Sequence, residues 1–477
     1  MSIRPPRRPS TTAGGSVDDA FASGTRWLTA ATLFVGLVNY AFGLVMTHVL
    51  DVGTYAVFAA AQGTLLVLGT IAVASIPRVL ARDLVIAGND LSLRREVVWF
   101  AFAVNLLQGV LGAALVALIV AQFAGTRVVI VAAVSAVLIF VGSTPLGWAQ
   151  GEKRFRLLSV MRIAEVAVKS GLGLALATAG YGAAGALAGI ALGALLLAAW
   201  GAVLMRQDLR AVRGVLRRVR LWRAAFGVAA IQGLVALLTS ADIVLVTVLA
   251  TDPADAANYQ VSMILARAPL FLASAVATVV FPLFRPEGAD ADALFAAALR
   301  KYALLVVPFT VALATAPPTL LALVFPEAYG QLPTLLVATS IAGSLIGLVS
   351  LLATYYQSPG WYLHAIRRQV LGLAVHLPAL VIGWELGGPL GLATGTAVGA
   401  GTCALLLYLD ANRRWGGERS TRIRLPFVTW SLLLAVLIFA SPLIWLATAI
   451  AAGLWAAYLG FVRDDGPRTQ GQDPVTT

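Results

Sequence analysis

The chain has 477 residues, of which 60% are hydrophobic and only 12% charged; soluble domains carry about a quarter, so most of this surface must face lipid. In such a chain a net charge of +12 points to positive-inside topology rather than to a nucleic-acid partner. A single cysteine, Cys403, excludes an internal disulfide or thiolate cluster, and His48, His364 and His376 are too far apart in sequence to suggest a metal site.

In chain order, residues 1–26 are rich in Pro, Arg, Ser and Thr and read as a disordered cytoplasmic tail without a cleavable signal pattern. Apolar stretches of about 20 residues then predict about fourteen transmembrane helices. They cover 27–48, 54–76, 97–122, 127–149, 160–180, 182–205, 224–250, 259–284, 302–325, 332–356, 367–387, 388–410, 425–441 and 442–462. Residues 463–477 read as a second disordered cytoplasmic tail. The odd-numbered connections are short, whereas the even-numbered ones are rich in arginine. Counting both termini with the even side, thirty of the 34 basic residues fall there, one (Arg127) on the odd side, and three inside spans. That bias places both termini in the cytoplasm.

A duplication organises the chain. Gly182, Gly185, Gly189 and Gly193 reappear with the same spacing as Gly388, Gly391, Gly395 and Gly399, an offset of 206 residues. Gln150 and Gln357, Pro77 and Pro282, and Tyr55 and Tyr259 agree with that offset within two residues. Each copy holds six spans, so both share one orientation, which is a parallel-repeat plan with two bundles around a central cavity. The fold class expected is therefore all-α and polytopic. An N-terminal six-helix lobe (27–205) is joined by a basic linker (206–223) to a C-terminal lobe (224–410). A basic loop (411–424) and an extra helix pair (425–462) follow. The Gly-xxx-Gly ridges are explained by close helix packing.

Charges inside spans are costly and mark functional candidates. Asp242 and Arg267 lie equally far from the midpoint of the connection between their spans, about 12 Å below its outer end at 1.5 Å per residue. They are expected to pair, either as a structural lock or as an anion-binding Arg whose charge state Asp242 sets. Arg162, Glu165 and Lys169 share one face of the fifth span, and Arg368 is the repeat counterpart of Arg162. Arg26 and Arg78 flank the inner ends of the first two spans, where anchoring competes with a vestibule role. Asn39 and Gln62 are polar positions for lining a cavity or bonding between helices. His376, in an apolar span, reads as a satisfied core histidine rather than a proton relay. Trp27, Trp148, Tyr259 and Trp445 read as interfacial aromatics. There is no P-loop, no catalytic triad and no sizeable outer loop, so no catalytic or metal residues are expected.

Several stretches resemble a known family. Thr47-His48-Val49-Leu50, Asp51 to Tyr55 and Ile76-Pro77-Arg78 look like the opening of bacterial polysaccharide exporters. Ala241-Asp242, Tyr259, Arg267 to Pro269 and Phe281-Pro282 look like the start of their second half, and Leu323 to Pro326 with Tyr329 like a later connection. These are the Wzx-type flippases of the multidrug/oligosaccharidyl-lipid/polysaccharide (MOP) exporter superfamily, and the resemblance covers roughly residues 25–462. It implies a non-enzymatic flippase that moves a polyprenyl-pyrophosphate-linked oligosaccharide across the bacterial plasma membrane by alternating access. Arg267 and Lys169 match the cationic cavity residues of that family, with Arg162, Arg78 and Arg26 toward the cytoplasmic mouth. Asp242 and Glu165 stand beside the bases as charge partners or coupling sites. Partners would be the lipid-linked glycan, membrane lipids and other glycan-assembly membrane proteins. No cofactor is implied, and H+ or Na+ coupling stays open. A lipid II flippase, a cation-coupled multidrug exporter of the same fold and an integral-membrane glycan polymerase or ligase are the alternatives. The first span lacks the carboxylate common in the drug exporters.

Overall fold

The computed structural model describes residues 14–210, 212, 219–270, 273, 290–357, 361–414, 437 and 441–458. The chain divides into two compact units, one of residues 1–49 and 64–229, the other of residues 50–63 and 230–477. The described secondary structure is helical throughout.

The first unit contains α1 (Gly14–Val49), residues 64–74 of α2 (Val52–Ala74), α3 (Ile76–Ala87), α4 (Leu91–Val120), α5 (Thr126–Gly151), α6 (Phe155–Leu176) and α7 (Gly182–Leu204). Helix α1 begins inside the stretch read as tail. Its first residue is Gly14. The Arg-rich connection after the second span also differs from the expected loop. Pro77 opens a new helix rather than only closing one, and α3 is amphipathic. It buries Ile76, Val79, Leu80 and Leu84 and leaves Arg78, Val85 and Ile86 exposed. Glycine lets α3 lie close on α5, since a Cβ on Gly147 would sit 2.6 Å from the Pro77 backbone.

The second unit contains residues 50–63 of α2, then α8 (Val219–Leu249, from residue 230), α9 (Pro253–Ala266), α10 (Asp290–Ala314), the short α11 (Pro318–Val324), a 3-10 turn (Glu327–Tyr329), α12 (Leu332–Gln357), α13 (Tyr362–Arg414) and α14 (Pro442–Ala457). The span expected at 302–325 stops at Ala314. Pro317 and Pro318 lack the N–H donors a continuing helix needs.

Among the described residues, eight helices are long and apolar enough to cross a membrane. Two of those stretches, Phe155–Leu204 and Tyr362–Arg413, each take in two of the expected spans. In the first, α6 and α7 meet at a tight turn through Ala177–Tyr181, with Gly180 at φ 93° and Gly182 at φ 55°. In the second, Gly387 and Gly388 break α13 into antiparallel halves, and Gly388 again has φ 55°. Glycine populates that region without steric cost, so the repeated glycine is required by the turn. Behind the turns the remaining glycines do the same work in both units. A Cβ on Gly189 would stand 2.3 Å from the Lys169 carbonyl, and one on Gly395 2.2 Å from the Ala379 carbonyl. The matched spacing in the sequence thus corresponds to matched hairpins.

The expected span 425–441 apart from Leu437 and Ser441, the expected span 259–284 beyond residue 270 apart from Ala273 (Pro282 included), residues 211 and 213–218 of the linker 206–223, residues 415–424 of the loop 411–424, residues 1–13 and 459–477, and the side chain of Arg26 lie outside the described residues.

Candidate functional site

The second unit builds its polar centre at a helix break. Helix α9 opens on Asp252, whose carboxylate accepts from the Ala254 N–H, and Pro253. It ends at Arg267, where the N–H bonds back three residues to the Ile264 carbonyl, and Leu270 N–H in turn bonds to the Arg267 carbonyl. Pro269 lacks an N–H and removes one bond from the ladder here. Two glycines of α12 make room for the break. A Cβ on Gly343 would overlap the Ala266 carbonyl, and one on Gly347 would meet the backbone of Pro269 and the Tyr302 hydroxyl.

Arg267 projects from this break toward α8. Its Nη2 lies 3.3 Å from Asp242 Oδ1 and also donates to the Thr239 carbonyl. Asp242 is wholly buried, and the Arg267 side chain is 11% exposed. The Tyr259 hydroxyl donates to Asp242 Oδ2 at 2.9 Å and lies 3.0 Å from Thr396 Oγ1 on the second half of α13. The carboxylate is therefore held at both oxygens. Arg267 is not fully used, because its buried Nε has no hydrogen-bond partner among the described residues. A buried cation with one carboxylate and a spare donor can accept an anion without dismantling its ion pair.

The first unit gathers a smaller polar centre. Lys169 on α6 is half-buried and donates to Asn39 Oδ1 on α1 at 2.6 Å. Glu165 lies one turn away on α6, and Gly193 of α7 packs against the Glu165 carbonyl and the Lys169 Cβ. Among the described residues no ion pair closes between Lys169 and Glu165, so the ammonium keeps donors to spare. Arg162 is half-buried on the same helix, and Arg78 is exposed on α3. Gln62 is half-buried and belongs to the other unit. The structure thus joins Lys169 with Asn39 and Asp242 with Arg267.

Three aromatic assignments change. Tyr259, expected at an interface, is fully buried and bonds Asp242. Trp148 is buried, and its Nε1 donates to Asp208 at 3.0 Å. Trp445 donates to Thr315 Oγ1 at 3.0 Å. Each lies near a span end as expected, but its polar atom has found a protein partner. His376 is buried as expected but not satisfied. Neither ring nitrogen has a partner among the described residues. Thr396 and Thr239 carried no signal in the sequence, because a threonine in an apolar helix ordinarily bonds its own preceding turn.

Asp208 anchors a second ion network, at the Arg-rich end of the first unit. Arg94 Nη2 lies 2.8 Å from Asp208 Oδ2, and Arg94 Nη1 lies 2.7 Å from Glu152. The chain after α7 is thereby tied to the start of α4 and the end of α5, beside a pocket of about 370 Å3. Among the described residues no three of His, Cys, Asp and Glu meet as a metal site requires.

Solved structures share this architecture. "Lipid II flippase MurJ", in an inward closed conformation, superposes with a TM-score of 0.71 over 91% of this chain and 98% of its own, at 13% identity. The chain has the fold of the MOP exporters. An inward-facing multidrug resistance MATE family transporter of the MOP superfamily matches with a TM-score of 0.63 at 15% identity, over 81% of this chain and 98% of its own. A point mutant of the Vibrio cholerae MATE transporter VcmN matches with a TM-score of 0.54 at 21% identity, over 83% of this chain and 98% of its own. No protein-family model and no curated protein matches the chain. With this fold and its long apolar helices, the chain is a multi-pass membrane protein.

Proposed function

We propose that this protein is a flippase of the bacterial plasma membrane, both termini cytoplasmic, that moves a polyprenyl-pyrophosphate-linked oligosaccharide by alternating access and without enzymatic chemistry. The observation that carries the reading is Arg267, a buried guanidinium at a helix break with an unused donor, in a chain of MOP-exporter fold. A pyrophosphate headgroup cannot cross about 30 Å of hydrocarbon unaided, because a desolvated anion costs many kcal/mol. Fixed positive charge in a wet path lowers that barrier. Arg267 and Lys169 are the bases held within apolar helices and would each bind phosphate. Asp242 beside Arg267 and Glu165 beside Lys169 would keep each base near neutrality when no anion is bound. Arg162, Arg78 and Arg26 would gather the anion at the cytoplasmic side, and Asn39 would orient Lys169.

A drug-exporting role is less well supported. Helix α1 has no carboxylate between Trp27 and Val49, and a buried arginine suits an anion better than a cationic drug. The likeness to a protein named as a lipid II flippase favours a second reading, in which lipid II itself is the cargo. Both readings place an anionic headgroup at Arg267. The test is export of lipid-linked glycan in cells lacking the native gene, complemented with Arg267→Ala or Lys169→Ala protein at matched membrane abundance. Arg267→Ala is expected to abolish export, and Lys169→Ala to lower it by about tenfold, the loss of one charge-assisted contact. Normal export by both variants would overturn the cationic-site reading.

A further inference from the structure

His376 is wholly buried near the middle of the 362–386 half of α13, and neither ring nitrogen meets a hydrogen-bond partner among the described residues. Gln369, two turns earlier on the same helical face, is equally buried and equally unpartnered at both amide atoms. Buried polar groups left without any partner are rare, and protein interiors satisfy them with water when side chains do not. Two such groups stand in line on one face of the helix.

The ring lies where its charge would matter. It packs on Gly399, and a Cβ there would be 2.3 Å from Nδ1. One turn earlier, Thr396 joins the Tyr259–Asp242–Arg267 chain. Through Thr396 this half of α13 is joined to Tyr259 of α9, Asp242 of α8 and Arg267 at the break after α9. Helix α12 carries no titratable side chain before Tyr355, and the facing half of α13 offers Thr396, Gly399 and, one turn further, Cys403. A proton on His376 therefore has one carboxylate to answer it.

We propose that His376 is a proton-binding site whose occupancy controls how strongly Arg267 attracts an anion. With the ring neutral, Asp242 and Arg267 cancel. When a ring nitrogen takes a proton from water, two cations share one carboxylate, and the centre carries a net positive charge for the anion to neutralise. The proton returns to water when the anion leaves. Proton uptake and anion binding then reinforce each other reciprocally. Imidazole is suited to this because its charge changes between about pH 5 and 8. The proposal rests on the flippase reading above for its anion, but not for its proton site.

The chain has only three histidines, so histidine-labelled full-length protein in lipid nanodiscs gives three assignable NMR signals, with His48→Gln and His364→Gln assigning the other two. The His376 ring is expected to titrate between about pH 5 and 8, and Asp242→Asn to move its midpoint. A ring that stays neutral throughout that range overturns the proposal. The second arm uses vesicles and a fluorescent polyprenyl-pyrophosphate disaccharide as probe. An imposed pH gradient is expected to accelerate its movement by the natural protein, with the acceleration lost in both His376→Gln and His376→Asn. Acceleration retained in both variants overturns the proposal. If the natural protein does not move the probe at all, the flippase reading fails instead, and the histidine titration alone decides the proton site.

Discussion

Gly182 and Gly388 turn their hairpins at the same φ of 55°, and the glycines behind them seat the second helix on the first in both units. The chemistry on those hairpins is not the same. The first carries Glu165 and Lys169 on α6, with Lys169 reaching Asn39. At corresponding depth the second carries no fixed charge, only His376, and takes its cation instead from the break after α9. Duplication preserved the backbone approach, which only glycine allows, while the polar side chains diverged. The two hairpins are therefore alike in construction and unequal in electrostatics.

The largest expected effect comes from disturbing the charge balance of the second unit. Asp242→Ala leaves Arg267 buried without its carboxylate, and removing one partner of a buried pair costs about 3–5 kcal/mol. Thermal unfolding of the purified protein should show this loss. Glu165→Ala in the first unit should cost far less, because Glu165 closes no ion pair there.

Equality of construction predicts a next-largest effect that is the same on both sides. Gly189→Ala and Gly395→Ala should each destabilise by about 1–3 kcal/mol through overpacking. Gly171→Ala and Gly453→Ala, where nothing lies within 4 Å of the new Cβ, should instead stabilise by about 0.4–1 kcal/mol, the gain from restricting the unfolded chain. A large effect in one hairpin alone would break the comparison.

These hairpins were legible in the sequence because a turn at positive φ and a backbone contact both demand glycine, leaving a spacing to read. The Asp242–Arg267 pair was legible because charge inside an apolar span is conspicuous and hairpin geometry fixes its depth. Tyr259 was misread, since a tyrosine near a span end has the same surroundings in sequence whether its hydroxyl meets water or a buried carboxylate. The break at Arg267 was missed because Pro269 was read only as part of a family resemblance. The helical state of 76–87 was hidden by its arginines, which mark a loop by charge but leave a buried face of Ile76, Val79, Leu80 and Leu84 at helical spacing.

The smallest effect lies outside the membrane. Burial opposes ionisation of Asp208, but hydrogen bonds from Arg94 and Trp148 outweigh it and hold the carboxyl below its ordinary value of 3.8. A carboxyl with a lowered folded-state pKa contributes stability that is complete above its unfolded value and lost as pH falls through the folded one. The natural protein should thus lose this contribution only below about pH 4, and Asp208→Asn should lack it at neutral pH. Unfolding curves that differ between the two proteins at pH 7 and draw together as the pH falls below about 4 would show this.

The most direct test of the account is export of lipid-linked glycan by the double variant Asp242→Asn, Arg267→Gln, alongside its thermal stability. Neutralising both partners removes the cation without stranding a buried charge, so the protein should stay folded near its natural stability. If Arg267 is the anion site, the folded double variant exports nothing measurable. Export at the natural rate by that variant would contradict the account and leave the pair as a structural lock.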